Sequence, residues 1–96
     1  MSIARMVHQT VQDPVLVINV YEDFRSGKCE LPQKFFYGTE GLCRAVVIVS
    51  HVCDVLEIDV GDVDEDIALE MGLQPIVERY GNLDTLLALF DEMVGQ

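Results

Sequence analysis

Between Glu40 and about Glu57 the chain reads EGLCRAVVIVSHVCDVLE, and this stretch constrains the fold more than any other. At the helical angle of about 100° per residue, Arg44, Ser50, His51, Asp54 and Glu57 gather on one arc, and the rest of the turn is apolar. A helix with so thin a polar stripe must be surrounded on most sides, so the segment is expected to be the central element, with Thr39 as its cap. The β-branched run from Ala45 to Val49 also suits a central strand, and residues 44–50 stay open to that reading.

The same ambiguity attaches to PVLVINVYEDFRSG, residues 14–27. Its polar residues Asn19, Glu22, Asp23 and Ser26 repeat at helical spacing, Asp13-Pro14 makes a good helix start, and Gly27 sits where a helix would stop. As a strand, residues 15–21 would be apolar on both faces and buried. Upstream, Ile3, Met6, Val7 and Val11 fall at helical spacing behind Ser2. Residues 28–39, with Pro32 and Gly38, read as a connection that carries Phe35, Phe36 and Tyr37.

The last third is more explicit. Asp64 caps a short helix, Glu65 to Met71, which Gly72 ends; Pro75 opens another that runs to Tyr80 and stops at Gly81. Asn82 caps a final helix from Leu83 to Val94, with Leu83, Leu86, Leu87, Phe90, Met93 and Val94 on one apolar face. The fold expected is mostly α, a compact single-domain bundle of about five or six helices spanning residues 1–96; the alternative is α+β with strands at 15–21 and 44–50.

Charge is distributed unevenly. Residues 1–44 carry five acids and five bases, whereas residues 45–96 carry twelve acids against Arg79 alone, which accounts for the net charge of −11. A field of that sign repels phosphate, so direct nucleic-acid binding is not expected, while a basic protein surface would be steered toward it. The apolar runs are too short to cross a bilayer, and the start MSIARMVHQT lacks the apolar core of a signal peptide, so the expected location is the cytoplasm and no membrane contact is expected. Three cysteines without CxxC spacing are expected as reduced thiols.

Motif by motif, catalytic and metal chemistry find little support. Asp62, Asp64 and Asp66 mimic the first ligands of a calcium loop, but Ile67 stands where the turn needs glycine and Leu73 where a bidentate Glu should close the shell. On one helix Cys43 and Cys53 point about 80° apart and His51 about 160° from Cys53, so these three cannot share a zinc ion and the cysteines read as small buried hydrophobes. The helix-turn-helix outline of DIALEMGLQPIVERYG has a recognition helix too short and too acidic for base readout. No glycine-rich phosphate loop, HExxH or GxSxG occurs, and no metal, cofactor or catalytic role is assigned.

What remains is a binding surface. Asp54, Glu57, Asp59, Asp62, Asp64, Glu65, Asp66 and Glu70 are more carboxylates than helix capping requires, and Phe36 and Tyr37 are aromatics that a connection can present to a partner. The expected function is a small acidic binding or inhibitor protein that docks a negative face, contributed by residues 54–70 and the C-terminal helix, onto a basic protein surface, such as a nuclease or a DNA-binding regulator. Immunity proteins, antitoxins and phage inhibitors resemble it in size and charge alone. Two other readings compete: a structural or regulatory homodimer paired through the final helix by Phe90 and Met93, and a small enzyme using Cys29, beside Lys28, as a thiol nucleophile with His8 or His51.

Overall fold

The computed structural model describes residues 14–95. The expected helix around Ile3, Met6, Val7 and Val11, the Asp13 cap and His8 lie outside those residues. Five helices follow: α1 (Pro14–Arg25), α2 (Gly38–Leu56), α3 (Glu65–Glu70), α4 (Gln74–Tyr80) and α5 (Leu83–Val94). Short 3-10 turns at Gln33–Phe36 and Val60–Asp62 connect α1 to α2 and α2 to α3. Among the described residues there are no strands, so the α+β alternative at 15–21 and 44–50 does not hold.

The reason is visible in α2. Ala45, Val46, Val47, Ile48 and Val49 are all buried, and five successive residues sweep more than a full helical turn, so the helix is enclosed on every side. Each β-branched residue there gives up a few tenths of a kcal/mol of helix propensity, while burying a Val or Ile side chain contributes about 1.5–3 kcal/mol. Burial wins. A helix also satisfies its own backbone, whereas two isolated strands would leave exposed edges.

Around this axis α1 and α5 pack on α2, α4 packs on α5 and on the Gln33–Phe36 turn, and α3 leans on α4. Val17 and Tyr21 from α1, Leu73 and Ile76 at the start of α4, and Leu83, Leu86 and Phe90 from α5 complete the core. Two tyrosine hydroxyls stitch distant segments: buried Tyr21 donates to the carbonyl of Met71, and part-buried Tyr80 to the carbonyl of Phe36 at 2.7 Å. No buried side-chain polar atom among the described residues lacks a partner.

The ends of the helices follow a common device. α1, α2 and α3 each close in a Schellman motif, with paired bonds Lys28 N–H to Asp23 and Gly27 N–H to Phe24, Ile58 to Cys53 and Glu57 to Asp54, and Leu73 to Ala68 and Gly72 to Leu69. The left-handed position is Gly27 in α1 and Gly72 in α3, but Glu57, at φ 56°, in α2. Asp64 and Asn82 cap α3 and α5 as expected, accepting from the N–H of Ile67 and Thr85 at 2.8 and 2.7 Å. Thr39 is not a cap: α2 begins two residues earlier than expected, at Gly38, with Tyr37 as its N-cap. The described residues form a body with radius of gyration 12.3 Å, and among them no helix is long and apolar enough to cross a membrane.

Candidate docking surface

All eight acids from Asp54 to Glu70 are exposed. They come from the end of α2 (Asp54, Glu57), the link to α3 (Asp59, Asp62), the cap and first turn of α3 (Asp64, Glu65, Asp66) and its last residue (Glu70). Seven of them line two concavities. Asp54, Glu57, Asp59 and Asp62 surround the first, of about 430 Å³, together with Cys53 and Ile58. Asp64, Glu65 and Asp66 line the second, of about 610 Å³, where Asp84 of α5 joins them. The Val60–Asp62 turn contributes to both, so the two hollows adjoin. Glu70 lines neither.

Apolar groups share the larger hollow: Val60, Val63, Val77 and Leu83, with Leu69 of α3 standing 68% exposed. Val55 and Leu56 at the end of α2, which line neither hollow, are also exposed. The surface therefore combines carboxylates with uncovered aliphatic side chains, a composition that solubility alone does not require.

No cation among the described residues answers these carboxylates. Arg44 donates to the Phe35 carbonyl at 3.0 Å, lies 3.4 Å from Glu40 and covers the Phe35 ring. Arg79 stacks over Tyr37 and Tyr80, at 5.0 and 5.4 Å from the ring centroids. His51 Nε2 lies 3.0 Å from Glu22 Oε1, a contact between α2 and α1. The field of the acids reaches inward at Cys53: burial pushes its thiol up, and Asp54 and Asp59 push it the same way. Cys43 is raised too, by burial first and then by Glu40, so both buried thiols hold their protons at neutral pH. Cys29 is exposed, with Sγ 3.8 Å from the carbonyl of Val20. Among the described residues no three His, Cys, Asp or Glu side chains gather closely enough to hold a metal ion.

One expected contributor needs correction. Phe36 is fully buried, packed edge-on against Phe35 under the start of α2, and cannot touch a partner. The connection is a 3-10 turn, which turns the middle aromatic inward and leaves Tyr37 half exposed. Tyr37 lines a separate hollow with Gln33, Glu78 and Arg79 and shares neither acidic concavity. Phe90, which the homodimer reading places at an interface, is likewise core, at 1% exposed. The sequence assigns the final helix to the same acidic face as residues 54–70, and the approach of α3, α4 and α5 around one hollow brings Asp84 of that helix beside Asp64. Comparison with protein-family models, with curated proteins and with solved structures finds no match.

Proposed function

We propose that this chain is a small acidic docking protein that places its negative face on a basic surface of another protein, such as the nucleic-acid groove of a nuclease or a DNA-binding regulator, and blocks that surface. The observation that carries this is the convergence of seven uncompensated carboxylates from successive elements on two adjoining hollows. Carboxylates so placed can stand where phosphates would lie, and complementary charge speeds encounter more than it deepens affinity.

The test uses the intact chain as bait in native lysate with elution by a salt step, followed by stopped-flow association of the purified captured protein. The association rate is expected to fall about tenfold between about 20 mM and about 300 mM salt, a range over which the Debye length shortens severalfold. A variant with Asp54, Asp59 and Asp62 changed to Asn should associate correspondingly more slowly. A rate indifferent to both salt and these substitutions would overturn the reading.

A further inference from the structure

We infer that the larger hollow, framed by α3, α4 and the start of α5, takes a cationic amphipathic helix of the partner; this rests on the docking function proposed above and specifies its ligand. The argument comes from what the hollow offers. Leu69 stands uncovered beside Val60, Val63 and Val77, so an occupant with an apolar stripe would bury surface that is now wet. Asp64 at the cap of α3, Glu65 and Asp66 in its first turn and Asp84 on α5 share that lining, so the occupant should carry Lys or Arg beside its apolar stripe. Helices α3, α4 and α5 and the turns between them frame the hollow, and no strand edge among the described residues borders it to pair with an extended peptide. An occupant must then satisfy its own backbone, as a helix does, and anchor through residues spaced three or four apart.

Three labelled peptides of equal charge serve as probes: one with Leu at i, i+3, i+4 and i+7 and Lys elsewhere, its sequence scramble, and a Lys/Gly peptide without apolar residues. Binding is read by fluorescence anisotropy and by amide NMR shifts on the intact chain. The amphipathic peptide is expected to bind about tenfold more tightly than the scramble, with shifts centred on residues around Leu69, Val77 and Asp84. Leu69→Ser, at an exposed position, should remove about that tenfold while leaving the Lys/Gly peptide unaffected, and Asp84→Asn should weaken all three. Equal, salt-sensitive binding of all three peptides would overturn the helix inference and leave the docking reading standing. No binding of any peptide at low salt would overturn both. Self-association of the chain abolished by Leu69→Ser would show a second copy as the occupant and overturn the inference too.

Discussion

The main chain of Gly41, in the first turn of α2, lies against that of Phe36 with no space for a side chain: a β-carbon there would stand 2.0 Å from the Phe36 carbonyl carbon. This contact seats the Gln33–Phe36 turn on the central helix, and Tyr80 bonds the same Phe36 carbonyl from α4. Backbone cannot step aside as a flexible side chain can. Gly41→Ala is therefore expected to cost at least about 3 kcal/mol, toward the upper end for overpacked sites, in a domain whose total stability is of the order of 5–15 kcal/mol. Denaturant unfolding followed by circular dichroism checks it; a midpoint close to wild type would show that the turn can lift away.

Asp64 has two separable duties. Its Oδ1 accepts from the N–H of Ile67 and caps α3, and its charge belongs to the larger acidic hollow. Asn caps as well as Asp but carries no charge. Asp64→Ala should destabilise by about 1 kcal/mol, whereas Asp64→Asn should stay within about 0.5 kcal/mol of wild type. Both should bind cationic peptides more weakly. Equal stability losses for the two variants, measured by urea titration, would mean that charge at the helix start, not the cap bond, is what Asp64 supplies to the fold.

Alkali should destabilise the protein once pH passes the range in which the same groups dissociate in a free chain. Burial raises Tyr21, Tyr80, Cys43 and Cys53, with smaller opposing contributions from Arg25 at Tyr21 and Arg79 at Tyr80. A raised folded value means that the folded state binds more protons than the unfolded state at high pH, so stability falls as pH increases. The contribution is fully present below the ordinary thiol and phenol values and is lost from about pH 9 upward. Ionising Tyr21 would also remove the proton it donates to Met71, which ties α1 to the end of α3. Urea midpoints measured from about pH 7 to about pH 11 should hold level and then decline; a level profile throughout would mean that these groups ionise without leaving the core.

What the sequence reveals and conceals follows the range of the interactions involved. Caps at Asp64 and Asn82, the glycine stops at Gly27, Gly72 and Gly81, and the apolar arc of α2 are local, fixed by residues within a turn or two, and each is readable from spacing. The inward turn of Phe36 depends on α2 and α4 closing over it, and the pairing of Glu22 with His51 depends on α1 lying across α2. No local pattern encodes either. The acids of residues 54–70 and of the final helix are legible in the chain, but their division between two hollows, and which of the final helix's acids joins them, are products of the bundle.

Glu57 shows the sharpest tension between stability and the proposed role. It occupies, at φ 56° and ψ 43°, the left-handed position that Gly27 and Gly72 fill at the ends of the neighbouring helices. A side chain there costs about 1 kcal/mol relative to glycine, and nothing in the α2 cap bonds requires one, since both are made by main-chain N–H groups. The carboxylate does line the smaller acidic hollow beside Asp54, Asp59 and Asp62. Glu57→Gly is thus expected to stabilise the fold by about 1 kcal/mol, raising the melting temperature by about 4–8 °C, while slowing association with a basic partner. Thermal melts and stopped-flow rates on the same variant check the two halves together. A variant that gains stability and loses no association rate would remove Glu57 from the docking surface, because the strain it carries would then have no counterpart in binding.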